Sequence, residues 1–154
     1  MELLDADLED IREALGQEKL TLRETAVAYG WGFDDDMEYQ IEQGLPITMM
    51  EDLMKRYGLS AAEMAHALRI PMRTFARRRN ETRLQADESD NFLRLARVLG
   101  RTSRVLGGHG PAGHWFHRQN RALGGRSPLS MADSDLGNRR VESTLGRIEH
   151  GVFS

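Results

Sequence analysis

Apolar residues along this chain recur at spacings of three and four and never alternate over a useful length, so the pattern predicts helices and almost no strand. A first amphipathic run, about Leu3–Leu15, is stopped by Gly16. A second, about Leu20–Tyr29, is stopped by Gly30 ahead of the acidic linker "GWGFDDDMEYQ", and both are expected to attach loosely. Pro46 opens a helix through Met49, Met50, Leu53 and Met54 that closes at Gly58, the proline-first, glycine-last order that helix ends favour. Ser60, with Glu63 three residues on, forms a capping box ahead of Met64, Ala65 and Leu68. Pro71 disfavours helical geometry at Ile70, so that helix breaks and another, Met72–Asn80, follows. Asp87 opens a long helix to about Leu106, with Phe92, Leu95, Leu99, Thr102 and Leu106 at helical spacing. "GGHGPAG" interrupts the chain, a short helix carries Trp115 and Phe116, and "LGGRSP" turns it again. A final helix sets Val141, Leu145, Ile148 and Val152 on one face. The predicted fold is all-α: a helical extension over 1–44, a helix-turn-helix region over 45–86, and a long helix with a small helical domain over 87–154.

The helix-turn-helix expectation rests on two short helices joined by a tight turn. Such a motif needs a small residue where the helices cross and apolar residues at the turn and in the second helix; Ala65, Ile70 and Phe75 fit. The turn position that usually favours glycine holds Arg69. Candidate DNA contacts are Arg69, Arg73, Thr74, Arg77, Arg78, Arg79 and Arg83, because guanidinium groups neutralise phosphates and donate in pairs to guanine edges. The alternative is a solvated basic face, or arginines paired to the acidic N-terminal part. On the long helix Arg94, Arg97, Arg101 and Arg104 share a face opposite the apolar stripe, consistent with a solubilising surface. The length of that stripe and the two-fold symmetry usual for helix-turn-helix readers predict a homodimer.

Composition narrows the class. With 154 residues, 40% apolar and 29% charged, the chain is long enough to bury a core, and no apolar run reaches the ~18 residues that mark a membrane span. The first twenty residues are acidic and carry no secretory pattern, which leads to an expected cytoplasmic location. The formal charge of −3 hides a polarity: residues 1–52 hold 15 Asp/Glu against 3 Lys/Arg, and residues 53–154 hold 9 against 18. A basic body facing an acidic head invites a polyanion or an acidic protein surface as partner. The absence of cysteine removes disulfides, thiolate metal sites and cysteine nucleophiles. His109, His114 and His117 lack nearby carboxylates in sequence, and Gly107, Gly108 and Gly110 follow no strand and precede no GK[ST], so neither a metal site nor a phosphate cradle is expected. No nucleophile–base order or paired carboxylates suggest an enzyme, and no cofactor is expected.

From about residue 45 onward, the ordered set "LRIPMRTFARR", "ADESDNFLRLARVLG", Trp115 followed by "NRALGG" and "SPL", and the closing "VESTLGRIEHGVFS" resembles the Xre/MbcA/ParS antitoxin family, partners of RES-domain toxins. Gln119 stands where family members commonly have proline, and His150 where they commonly have an aromatic residue. The resemblance implies a helix-turn-helix region that dimerises and represses its own promoter, and a C-terminal toxin-binding domain. It implies toxin contacts from Asn120, Leu123, Gly124, Gly125, Arg126, Pro128, His150, Gly151, Val152, Phe153 and Ser154. The partners implied are a cognate RES-domain toxin that consumes NAD, promoter DNA, and a second copy within a higher-order toxin–antitoxin complex. The tail Gly151–Ser154 is expected to reach the toxin's cofactor cleft and block it. A stand-alone helix-turn-helix regulator and a purely structural interaction protein are the competing readings.

Overall fold

A computed structural model describes residues 5–15 and 42–151 of the chain. The helix expected over Leu20–Tyr29, the acidic linker up to Gln40 and the last three residues, Val152–Ser154, lie outside them. Among the described residues are seven α-helices: α1 (Asp5–Ala14), α2 (Ile47–Tyr57), α3 (Ala61–Leu68), α4 (Met72–Arg78), α5 (Ala86–Leu106), α6 (His109–His117) and α7 (Asp135–Glu149). Two 3-10 turns, Arg121–Leu123 and Leu129–Met131, join α6 to α7. Strand pairing among these residues is limited to two isolated bridges, Pro46 with Arg83 and Asn120 with Arg126.

The helix ends follow local chemistry. Pro46 stands just before α2, and Gly58 ends it in the left-handed region at φ 66°, its N–H donating to the Met54 carbonyl. The Ser60 hydroxyl accepts from the Glu63 amide at 3.1 Å while the Glu63 carboxylate accepts from the Ser60 amide at 2.8 Å, so the expected capping box is formed. A second one starts α5, where Gln85 and Glu88 cap reciprocally.

The long helix α5 is the axis of the molecule, with α1, α3, α6 and α7 packed along it. Its residues Phe92, Leu95, Leu99 and Thr102 are all buried within the one chain. The stripe read as a dimer face is therefore filled internally from Phe92 to Thr102, while Leu106 at its end is half-buried.

The first helix is not loosely attached. Ile11, Ala14 and Leu15 belong to the common core, and burying an isoleucine or leucine stabilises by roughly 1.5–3 kcal/mol relative to exposure. Close approach is permitted by Gly100 in mid-α5, where an added Cβ would overlap the Asp10 carbonyl oxygen. Arg104 then bonds Asp10 at 2.6 Å, and the Glu13 carbonyl lies 2.8 Å from His109 Nε2.

Candidate nucleic-acid and partner interface

Helices α3 and α4 cross where Ala65 and Phe75, both buried, let them meet, and half-buried Ile70 packs on the core at the turn. The turn requires a left-handed residue after α3, and Arg69 supplies it at φ 62°, the only non-glycine with positive φ among the described residues. An L side chain there costs about 1–2 kcal/mol. Its N–H is bonded to the Ala65 and His66 carbonyls, and Asn91 Nδ2 of α5 donates to the Leu68 carbonyl at 3.1 Å, so the end of α3 is satisfied. An arginine at this position keeps the turn geometry and adds a cation beside α4.

The seven candidate DNA contacts do not share one environment. Arg78 points inward: its Nε donates to both carboxylate oxygens of Glu88 at 2.9 and 2.8 Å, and the two side chains are only 9% and 3% exposed. The bond to Glu88, against the opposing effect of burial, holds the Arg78 guanidinium above its ordinary pKa. Arg78 is thus a fastener between α4 and α5 rather than a surface cation. Arg79 makes a two-pronged bond to Glu51 at 2.8 and 2.9 Å, tying α4 to α2, and the Glu51 bond raises its pKa as well. Arg83 donates to the Gly44 carbonyl at 2.8 Å beside the Pro46–Arg83 bridge.

The remaining candidates form a face. Arg69 and Arg73 are exposed and make no side-chain bond among the described residues; Arg77 is 66% exposed, with only a 3.9 Å approach to Glu81. Thr74 is half-buried between them. Met72, not anticipated from sequence, stands 49% exposed at the start of α4 beside Arg73. Methionine is an unremarkable first helical residue, so only its exposure marks it.

In the C-terminal unit, Asn120 organises a tight turn. Its side chain accepts from the Ala122 amide at 2.9 Å, its amide donates to the Arg126 carbonyl at 3.0 Å, and its carbonyl accepts from Gly125 at 3.0 Å. Gly124 and Gly125, at φ 68° and 83°, supply the left-handed backbone this closure requires. Asn120, Gly124, Gly125 and Arg126 are thereby brought together at the surface, whereas Leu123 and Pro128 are buried and shape the turn from inside. Arg126 Nη2 donates to the Ser130 carbonyl at 3.0 Å, and His66 Nε2 of α3 lies 3.2 Å from that same oxygen. Trp115 is half-buried against the core next to Phe116. His150 is exposed at the end of α7 and Gly151 follows at φ 68°; the contacts expected of Val152, Phe153 and Ser154 lie outside the described residues.

The arginines of α5 are not a merely solubilising face. Arg94 meets Asp135 at 2.9 Å, Arg97 meets Glu142 at 3.3 Å and Arg101 meets Glu149 at 3.6 Å, a ladder that binds α7 along α5. Arg104 serves α1 instead.

Of the three histidines singled out in the sequence, His109 and His117 make contacts within the fold, and His114 is exposed. His117 donates through Nδ1 to the Gly113 carbonyl at 2.6 Å and sets Nε2 3.1 Å from Glu63, joining α6 to α3. Burial pushes the Glu63 carboxyl up, but bonds from the Ser60 amide, His117 and the Ser60 hydroxyl outweigh it and hold the group below its usual value. Among the described residues no group of three or more His, Asp or Glu is placed to hold a metal ion, and no helix is long and apolar enough to cross a membrane.

Residues 36–97 match the model of the antitoxin Xre-like helix-turn-helix domain, and residues 103–151 match that of the antitoxin Xre/MbcA/ParS C-terminal toxin-binding domain. An antitoxin Xre of Yersinia enterocolitica is 33% identical over 116 residues, covering 74% of this chain and 78% of that protein. The chain belongs to the Xre antitoxin family. A second antitoxin Xre, from Photorhabdus laumondii, is 30% identical over the same shares of both chains. Both family matches have a boundary inside α5: the helix-turn-helix match ends at residue 97 and the toxin-binding match begins at residue 103, so the helix is shared between the two regions. In this Xre-family chain the structure bears out an all-α fold with a helix-turn-helix followed by a C-terminal helical domain.

Proposed function

We propose that this chain is the antitoxin of a type II pair, neutralising a cognate RES-domain toxin and repressing its own operon. The observation that carries the reading is the family match over both units, helix-turn-helix at 36–97 and toxin-binding at 103–151. Neutralisation is occlusion without chemistry. The Asn120–Arg126 turn docks on the toxin, and the tail after α7, Gly151–Ser154 with Phe153 as its aromatic, fills the cleft where the toxin binds NAD. The salt-bridged α7 supports this by holding the base of the tail on a fixed frame. No cofactor and no catalytic residue of the antitoxin take part, and the pair acts in the cytoplasm.

On the DNA side, Arg69, Arg73 and Arg77 meet phosphates or guanine edges, and Met72 and Thr74 lie over the bases beside them. The operator is read by a homodimer, expected from the two-fold symmetry of such sites and independent of the α5 stripe, within a higher-order complex once toxin binds. The test is co-expression with the neighbouring RES-domain reading frame. Co-purification of the two products, with specific retention of the promoter fragment, is the expected result. A chain that retains the promoter but never the RES protein is a stand-alone regulator, and one that retains neither refutes the proposal.

A further inference from the structure

The outer face of α7 carries an apolar side chain that nothing among the described residues covers. The helix buries Gly137, Asn138, Val141, Thr144 and Leu145 on its inner face, while Leu136 stands 69% exposed in the first turn with Arg139 and Arg140 exposed beside it. A single exposed leucine is ordinary and carries no message by itself. Its electrostatic setting is not ordinary. The unit spanning residues 103–151 contains four carboxylates, Asp133, Asp135, Glu142 and Glu149, and each faces a basic side chain outside that unit. Asp133 lies 3.7 Å from His66, Asp135 pairs with Arg94, Glu142 with Arg97 and Glu149 with Arg101. The acids are thus drawn to the inner side of the unit. Arg139 and Arg140 are left without an ion pair among the described residues, on the same helix that leads directly into Gly151.

We infer that the outer face of α7, with Leu136 as apolar anchor between Arg139 and Arg140, is a second toxin-docking surface that takes an apolar depression rimmed by carboxylates. The inference rests on the toxin-binding reading above and extends it to residues outside the Asn120–Arg126 turn and the tail. A protein fits better than a nucleic acid, because a phosphate backbone would answer the arginines but leave Leu136 in water. Arginine beside an apolar contact is the composition of an interface core, and uncompensated charge of one sign steers an oppositely charged partner into register. Continuity along α7 places this docking face on the same helix that leads to Gly151, so seating Leu136 positions the point from which the tail departs.

The test uses the full-length chain and the purified RES-domain toxin of the same operon, with Leu136→Asp and the double variant Arg139→Glu/Arg140→Glu. Acidic residues near a helix start favour the helix dipole and the replaced side chains are exposed among the described residues, so unchanged melting is expected of both. The charge-reversed variant should associate at least about tenfold more slowly at low salt and lose most of the salt dependence of the wild-type rate. Leu136→Asp should chiefly speed dissociation. Wild-type rates in both variants overturn the inference while leaving the toxin-binding reading intact. A loss confined to promoter binding, or a change only in self-association by sedimentation, overturns it in favour of DNA or a second copy. A wild-type chain that binds no toxin overturns the toxin-binding reading and this inference together.

Discussion

Replacing Arg78 by alanine separates a structural arginine from the exposed neighbours proposed to contact DNA. Glu88, 3% exposed, would lose two charge-assisted bonds at 2.8 and 2.9 Å and keep only the Gln85 amide at 2.9 Å. Leaving one member of a buried ion pair unpartnered costs about 3–5 kcal/mol. For a chain of this size each kcal/mol lowers the melting temperature by about 2–4 °C, so a fall of roughly 6–20 °C is expected. The paired replacement Arg78→Met with Glu88→Gln keeps an acceptor for the Gln85 amide and removes the stranded charge, and should recover most of the loss. Arg73→Ala, by contrast, should melt like wild type, weaken promoter binding and flatten the logarithmic salt dependence of affinity by about one unit. The assay is thermal melting followed by circular dichroism, with promoter affinity measured at 10 °C, where every variant is folded. If Arg78→Ala melted normally yet lost promoter affinity, the inward placement of Arg78 and the division of the arginine run built on it would be refuted.

Arg69→Gly should relieve the left-handed strain and stabilise by about 1 kcal/mol in denaturant titration, while weakening promoter binding through the lost cation. Gly100→Val should force α1 off α5 at a cost of about 1–3 kcal/mol and expose the N-terminal segment to limited proteolysis; unchanged protection would contradict the docking of α1. Because the Glu63 carboxyl titrates below its ordinary value near 4.5, its contribution to stability is fully present above that pH and lost as pH falls through the lowered value. Glu63→Gln should therefore flatten the acid limb of a melting-temperature profile, and an identical limb would show that the capping box and the His117 contact are not coupled to it.

Helix boundaries were legible wherever a short local signal fixes them. Pro46, Gly58, the Ser60–Glu63 pair and Pro71 each act within one turn of the chain, and each stands where the pattern placed it. The roles of the arginines were less legible, because a guanidinium is assigned by the element it faces. Arg78 stands three residues after buried Phe75, hence on the core side of α4, and that spacing was the readable signal of its inward turn. The ladder on α5 had a counterpart in sequence too: Asp135, Glu142 and Glu149 recur every seven residues along α7, matching arginines on another helix. Gly100 was the sign of a docked α1, since a glycine inside a long helix costs about 0.5–1 kcal/mol and demands a reason such as close approach of another backbone. What could not be read was the identity of that backbone, because Asp10 lies ninety residues away in the chain. The turn at Asn120–Arg126 was visible as a shape from its two glycines, whereas the inward burial of Leu123 and Pro128 depends on the core they meet.

The central claim, that the tail beyond α7 closes the toxin's cofactor cleft, is tested most directly by the toxin's rate of NAD consumption at matched concentrations of full-length chain and a variant lacking Gly151–Ser154. Both should melt alike, since the inner face of α7 is set by Val141 and Leu145 and chain ends add little to stability. The full-length chain should abolish consumption. The shortened chain should still bind through the Asn120–Arg126 turn, about thirtyfold more weakly for the loss of an aromatic anchor worth about 2 kcal/mol, and leave the toxin active when bound. Equal inhibition by the two chains would contradict the account and move the inhibitory contact to the body of the toxin-binding domain.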